Sequence, residues 1–372
     1  MPLEARVELR PSAKAPDDRE FIRELMDCHF DPKWGSPYWL NRRAELKFDP
    51  RRDVRFAEDM NCFGPFPEED LRQPNATRFI PLRYRDALRF MVPSETGGTT
   101  GRPKRVFFSE EEFAEGFITP FLEVCQKAGW PRGARWAYLG PSGPHIIGKV
   151  VEPICRRLNS PPPLSIDFDP RWALRLSEGS AARARYLDHL VDQAVNLLES
   201  ETLEVLFGTP PILVRLAERL PEEKRLAIRA VHYGGTALTP ETYSGFRRHH
   251  YPNAIHLSGY GNSLVGVAFE AETCEEGALS YYPARPRHRI RIVSSESAQS
   301  PVGDLEDVPL GERGRVVVSR LDKTFFIPNL VERDSGTAIG PTPASLALGW
   351  TGLGVRNPQP LPEATRVRGG LY

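Results

Sequence analysis

Residues 186–216, YLDHLVDQAVNLLESETLEVLFGTPPILVRL, decide the fold. Apolar side chains at Leu187, Leu190, Val191, Ala194, Leu197 and Leu198 recur three and four apart, the spacing that gathers them on one face of a helix. Residues 203–208 follow as a short apolar run of strand length. Thr209-Pro210 then offers an N-cap and a proline at the first helical position. Helix, strand, turn and helix in succession predict an α/β fold built on a parallel or mixed sheet.

The same grammar recurs on either side. Ala230–Tyr233 reads as a strand that ends at Gly234-Gly235, Thr239-Pro240 opens a helix, and residues 254–260 read as the next strand. Upstream, Ser109-Glu110-Glu111-Glu112 is a capping box, so a helix should begin there and carry Phe113, Phe117 and Phe121 inward. Beyond residue 265 the texture turns to strands at 265–270, 289–293 and 315–319. Before residue 90 the chain is aromatic-rich, with WGSPYW at 34–39 and FGPF at 63–66, and reads as short helices and turns. The expected organisation is an irregular helical part at 1–90, an αβ nucleotide-binding part at 91–264, a β-rich subdomain at 265–350 and a hinge-like tail at 351–372.

Composition excludes several classes of function. The chain has 372 residues, 49 Lys plus Arg against 49 Asp plus Glu, and so no net field to hold a polyanion or a membrane surface. Neither nucleic acid nor membrane is expected as a partner. Its five cysteines, Cys28, Cys62, Cys125, Cys155 and Cys274, form no C-x-x-C pair, against both a disulfide framework and a zinc site. No apolar run reaches the 18 or so residues of a membrane span, and the N-terminus is charged where a signal peptide needs an apolar stretch. A cytoplasmic setting is the expectation. The 36 prolines imply many rigid turns.

In open α/β sheets ligands gather at the carboxyl ends of strands. Those ends are Gly208-Thr209, Gly234-Gly235-Thr236 and Tyr260-Gly261-Asn262-Ser263. A further stretch at 94–104, SETGGTTGRPK, has glycines that let backbone amides approach an anion, threonine hydroxyls that donate, and Arg102 and Lys104 for charge. It suits a polyphosphate. It is not a P-loop, because no Ser or Thr follows the lysine to hold a metal.

That loop resembles the phosphate-binding signature [ST]-S-G-T-[ST]-G-x-P-K of the adenylate-forming enzymes, the superfamily of acyl-CoA synthetases, peptide-synthetase adenylation domains and luciferases. The likeness runs through Gly98-Thr99-Thr100-Gly101-Arg102-Pro103-Lys104, with Gly97 in place of the usual serine. Gly234-Gly235-Thr236-Ala237-Leu238 resembles the turn that lies along adenine, and Tyr260-Gly261-Asn262-Ser263 the aromatic-Gly stretch that approaches the α-phosphate. Gly311-Glu312-Arg313-Gly314-Arg315-Val316 resembles a strand of the family's β subdomain. Among subfamilies the likeness is nearest to phenylacetate-CoA ligases, and it covers residues 30 to 372.

The resemblance implies the family's large N-terminal domain, with two mixed αβ subdomains and a small β-rich one. It implies ATP as cosubstrate, AMP as product portion, and an aromatic carboxylic acid as the partner activated to an acyl-adenylate. Thr96, Gly98, Thr99, Thr100, Gly101, Arg102 and Lys104 would hold phosphates; Gly234, Gly235, Thr236, Tyr260 and Gly261 would flank adenine; Asp334 would take the ribose hydroxyls; Ser263 would approach the α-phosphate. Two departures stand out. Leu264 occupies the place of the glutamate that helps hold Mg²⁺, for which Glu270 is a candidate substitute. The family's mobile C-terminal domain with its lysine is expected to be absent, since residues 366–372 resemble the approach to the hinge. Truncated relatives occur in bacterial luminescence systems and in phenazine-antibiotic (griseoluteic acid) biosynthesis, so a phenazine carboxylate and a downstream reductase or condensing enzyme are expected partners. A thioester ligase for CoA or a carrier protein, and a protein that binds nucleotide or acid without turnover, are the alternatives.

Several residues carry two readings. His145 either contacts the substrate carboxylate or closes a turn. Tyr138, Phe207 and Tyr233, with Trp136, either line an aryl pocket or belong to the core. Lys149 is either a replacement charge or a solvated helix lysine. His249 and His250, being adjacent, do not share a helix face and predict no metal site.

Overall fold

The computed structural model describes residues 18–96, 102–177, 179–272, 278–284, 286–300 and 303–361. The strands, in chain order, are β1 (Val92–Glu95), β2 (Arg105–Phe108), β3 (Trp136–Leu139), β4 (Leu164–Ile166), β5 (Val205–Gly208), β6 (Ala230–Tyr233), β7 (Ile255–Asn262), β8 (Gly266–Glu270), β9 (Ser280–Tyr282), β10 (His288–Val293), β11 (Arg313–Leu321), β12 (Phe326–Ile339) and β13 (Gly354–Pro360). The helix read from residues 186–200 spans Ala181–Ser200, and the one opened by Thr209-Pro210 spans Pro210–Arg219.

β1 and β2 form an antiparallel hairpin, and the other strands form one eleven-stranded sheet in the order β10-β11-β12-β13-β9-β8-β7-β6-β5-β3-β4. From β4 to β7 all pairs are parallel. The change of direction falls within β7: residues Ile255 to Ser258 pair in parallel with β6, whereas Gly259 to Asn262 pair antiparallel with β8. The strands beyond residue 265 thus continue the same sheet as an antiparallel wing. β3, β5 and β6 are buried at every position, as helices on both faces of a parallel sheet require.

The capping box forms. The Ser109 amide donates to Glu112 Oε2 at 2.9 Å and the Glu112 amide to Ser109 Oγ at 3.2 Å. The helical run then passes through a wide π turn, Ala114–Ile118, into the helix Thr119–Ala128. Pro120 has no amide hydrogen to give the preceding turn, and the wider turn accommodates it. Phe113, Phe117 and Phe121 all point inward, and Phe121 packs against Trp130, Trp136, His232 and Phe269. Burial of such a ring is worth about 1.5–3 kcal/mol.

The part before β1 is a helix, Asp18–Phe30, followed by short helical turns. Its aromatic residues Phe30, Trp39 and Phe63 stack against one another, and Trp39 and Phe63 meet Phe326 of β12. Behind them lies a buried ionic cluster. Arg320 lies over the Phe108 ring at 3.6 Å, donates to Asp322 Oδ2 and to the Phe107 carbonyl, each at 2.6 Å, and reaches the Leu264 carbonyl at 3.3 Å. One side chain on β11 thereby fixes both the β1–β2 hairpin and the turn after β7.

Candidate nucleotide and acid site

The carboxyl ends of β5, β6 and β7 open on one cleft of about 640 Å³, within the range typical of small-molecule sites. Thr96, Lys104, Glu68, Arg72 and Arg333 make one end polar. Phe117, Phe121, Phe207, Ile147 and Val150 make the other apolar.

The floor is the turn after β6. Gly235 has φ +89°, a conformation that glycine adopts without strain. A Cβ on Gly234 would lie 3.2 Å from Ile147 and 3.3 Å from Phe207, so its absence keeps the wall of the cleft open. The Thr236 hydroxyl faces this turn, buried and with no hydrogen-bond partner. Such an orphan costs about 1–3 kcal/mol until something fills it.

Facing this turn stands the end of β7. Tyr260 Oη donates to Asp334 Oδ2 on β12 at 2.9 Å, and Asn262 bonds Glu332 of the same strand. Ser263 lines the cleft, and its carbonyl accepts from Ser94 Oγ at 2.9 Å, which ties this turn to β1. At the base of the phosphate-loop stretch, the Thr96 amide donates to the Lys104 carbonyl and the Lys104 amide to Thr96 Oγ1, both at 3.1 Å. Lys104 Nζ forms an ion pair with Glu68.

Of the residues singled out from the sequence, Thr96, Lys104, Phe207, Gly234, Gly235, Thr236, Tyr260, Gly261, Ser263 and Asp334 line this one cleft. Gly98, Thr99, Thr100 and Gly101 lie outside the described residues. Arg102 is exposed, outside the cleft lining, and its carbonyl accepts from Arg72 at 2.8 Å. Tyr138 is a core residue: its ring lies 5.2 Å from Phe207 and its hydroxyl donates to the Pro141 carbonyl. Tyr233 contributes to the wall, but its ring is 1% exposed, packed on Phe246, with its hydroxyl on His256 Nδ1. His145 sits just before the helix Ile146–Arg157, buried and outside the cleft lining; burial, then Arg171, lowers its pKa. Lys149 spans to β1, donating to the Pro93 carbonyl at 2.6 Å.

The sequence carries no clear signal for Glu68, His232 and His288 as cleft residues, nor for the length of β12, which places Asp334 on a strand. Glu68 lies in a short helical turn with no chemical signature. The Pro328 and Asn329 of β12 masked its strand character.

Magnesium is poorly served by these side chains. Leu264 is buried, with its amide on Asn262 Oδ1 at 2.7 Å. Glu270 is enclosed beneath β7, where its Oε2 accepts from Ser258 Oγ at 2.6 Å and from Tyr243 at 3.3 Å. Burial pushes its carboxyl up to about 7, against the Ser258 bonds that favour the charge. Among the described residues no three His, Cys, Asp or Glu side chains converge to hold a metal. Among the described residues, these side chains do not fit a protein-held Mg²⁺.

No family model and no curated protein matches the chain. Solved structures do. A 2-hydroxyisobutyryl-CoA ligase in complex with 2-HIB-AMP and CoA, in its thioesterification state, is similar with a TM-score of 0.64 and 14% identity, over 94% of this chain and 68% of that one. The same ligase in its postadenylation state, with R3-HIB-AMP, gives 0.62 and 14%, over 91% of this chain and 65% of that one. At such identity the likeness shows the fold alone: a mixed α/β fold matching the large N-terminal domain of adenylate-forming enzymes. Among the described residues no helix is long and apolar enough to cross a membrane.

Proposed function

We propose that this chain binds ATP and an aromatic carboxylic acid side by side in the cleft and joins them as an acyl-adenylate. A carboxylate oxygen attacks the α-phosphorus, the bond from that phosphorus to the bridging oxygen breaks, and pyrophosphate leaves with the electron pair. Both reactants are anionic, so the protein's part is alignment and positive charge. Lys104 would hold the outer phosphates, Ser263 the α-phosphate region, Gly235 and Tyr260 the adenine, and Asp334 the vicinal ribose hydroxyls, since a carboxylate accepts two donors. No step is assigned to a protein-held metal.

The observation that carries this reading is the cleft itself. One continuous space joins Lys104 and the Thr236 hydroxyl to a wall of phenylalanines, which suits one ligand that is charged and one that is flat and apolar. Support also comes from the solved ligase with an acyl-AMP in a similar fold. A phenazine carboxylate is the finer assignment, and it rests on the resemblance of the motifs.

The Lys104–Glu68 pair and Leu264 favour a second reading, a protein that binds nucleotide and acid without turnover. One experiment separates the two. Purified protein is incubated with ATP, Mg²⁺ and a panel of aryl acids, pyrophosphate is followed, and AMP and acid binding are measured by calorimetry. Acid-dependent pyrophosphate supports adenylation; binding without pyrophosphate supports the second reading; neither binding nor release contradicts both.

A further inference from the structure

The apolar end of the cleft is not wholly apolar. His232, in β6, is enclosed by the rings of Phe207 at 4.4 Å, Phe121 at 4.7 Å and Phe269 at 6.0 Å. Its Nδ1 meets the Leu257 carbonyl at 3.0 Å. A carbonyl only accepts, so Nδ1 carries the hydrogen and Nε2 is left with a lone pair. Among the described residues Nε2 has no hydrogen-bond partner. It is not one of the fully enclosed orphan atoms, and the residue lines the cleft. Burial holds the ring neutral, its pKa lowered to about 4. The side chain thus offers one uncharged acceptor to whatever occupies the phenylalanine-walled space.

Such an acceptor is costly if the occupant is pure hydrocarbon, because it then loses water and gains nothing. A leucine or phenylalanine would fill the position without that cost. His288 is 5% exposed and lines the same cleft, with both ring nitrogens enclosed. A Cβ built on Gly266 would lie 3.1 Å from the Gly116 carbonyl oxygen and 3.4 Å from His288 Nδ1, which sets this ring beside the residue preceding Phe117. His232 is therefore the imidazole with a ring nitrogen open to an end of the cleft walled by phenylalanines and aliphatic side chains.

We infer that the acid accepted here bears a hydrogen-bond donor on its ring, a hydroxyl or an amino group, received by His232 Nε2. The inference deepens the proposed function and rests on its placement of the acid in this end of the cleft. His232 is then a specificity-determining residue. It selects among aryl acids and takes no part in the phosphoryl chemistry.

The test is a calorimetric titration of the full chain with matched sets of benzoates and naphthoates. Each set contains the parent acid and its hydroxy, amino and methoxy derivatives at every ring position. The ether is the key control, because it keeps the oxygen and cannot donate. At one ring position the hydroxy or amino acid should bind about tenfold tighter than both the parent and the ether, the order expected when a buried acceptor is satisfied. The two donor arms distinguish hydroxyl from amine. In His232→Phe that ratio should fall to about one. Equal affinities for donor, ether and parent in the unaltered protein would overturn the inference, as would a preference that survives in His232→Phe; should that variant fail to fold, the ether comparison alone decides. Pyrophosphate release is measured on the same acids. Release without donor preference overturns this inference and leaves adenylation standing. Donor preference without release does the reverse. Absence of acid binding overturns both.

Discussion

The hydroxyl of Tyr260 on β7 donates to the carboxylate of Asp334 on β12 at 2.9 Å, although β8, β9 and β13 lie between those strands in the sheet. Four strand spacings of about 4.8 Å would hold the two backbones some 19 Å apart in a flat sheet, beyond the reach of a tyrosine and an aspartate. The antiparallel wing must therefore curl until its face closes over the end of β7. Tyr281 of β9, with its ring 5.9 Å from that of Tyr260, lies inside the curl. The curl is what makes a cleft from residues 74 positions apart in the chain.

From this pair follows a test of the nucleotide end. Asp334→Ala should weaken AMP binding by about 1.5–3 kcal/mol, the range for hydrogen bonds to a charged group. It should also abolish discrimination between AMP and its 2′,3′-dideoxy analogue, as read by calorimetry. Tyr260→Phe keeps the ring and removes the donor, so the loss should be smaller, about 0.5–1.5 kcal/mol. A D334A protein that still prefers the intact ribose contradicts the assignment.

Lys104 and Glu68 predict an opposed pair of effects. Lys104→Ala should cost ATP about 1.5–3 kcal/mol while changing AMP binding little, because the lysine is assigned to the outer phosphates. Glu68→Gln removes the competing carboxylate from that lysine, so ATP should bind several-fold tighter at low salt and lose the gain as salt is raised. Titrations of both nucleotides at two ionic strengths check both. Equal losses for ATP and AMP in K104A would displace the lysine from the outer phosphates.

Much of this was legible in the sequence, for identifiable reasons. The strand at Ala230–Tyr233 and the helix of residues 186–200 are periodic and locally consistent, and both form as read. The glycine turns announced the cleft because only particular backbone shapes need glycine there. The rest was not legible because it depends on distant chain segments. Asp334 resembles the family's ribose-binding aspartate in sequence, but its place on a strand shows only once β12 pairs with β13. Tyr138 and Tyr233 carry the composition of a pocket, yet their hydroxyls find internal partners in Pro141 and His256 and leave the rings in the core. His232 looks like any core histidine until the Leu257 carbonyl fixes which nitrogen faces the space.

Arg320 should be as important to the cleft as to the fold. It is 1% exposed, and its partners include Asp322, the Phe107 carbonyl and the Leu264 carbonyl. Arg320→Leu takes from buried Asp322 and Glu112 one of their two cations, Arg287 remaining 3.3 Å from Asp322 and 3.8 Å from Glu112, so the loss should approach the about 3–5 kcal/mol of a broken buried pair without exceeding it. Thermal unfolding should show a large loss. Arg320→Lys, which cannot bridge three acceptors in a plane, should recover only part of it. Full stability in R320L would contradict the role given to this cluster.

The buried titratable groups make stability depend on pH in two directions. His29, His232, His256 and His288 are each pushed down to about 4 by burial. Unfolded, they take protons near 6.5, so acidification from about 6.5 towards 4 favours the unfolded chain. Glu270 acts oppositely. Its carboxyl is raised to about 7, so the folded protein holds the extra proton and stability is lost as pH rises from about 4.5 to 7. Buried Asp322, likewise raised to about 7, acts in the same direction, and Glu270→Gln removes the Glu270 contribution alone. Its stability relative to the parent should therefore rise across that window, by an amount on the order of 3 kcal/mol. Denaturant unfolding of both proteins from pH 4.5 to 7.5 measures the difference, and a difference that is flat or falls with pH contradicts the assignment.

In the proposed reaction one cleft brings a carboxylate to the α-phosphorus of ATP. The most direct measurement is mass spectrometry of the protein-bound small molecules after incubation with ATP, Mg²⁺ and the tightest-binding aryl acid. An acyl-adenylate is expected, with the mass of the acid plus AMP less one water, absent when the acid is omitted and reduced in Lys104→Ala. Recovery of only unchanged ATP and unchanged acid, with both shown to occupy the cleft, would contradict it.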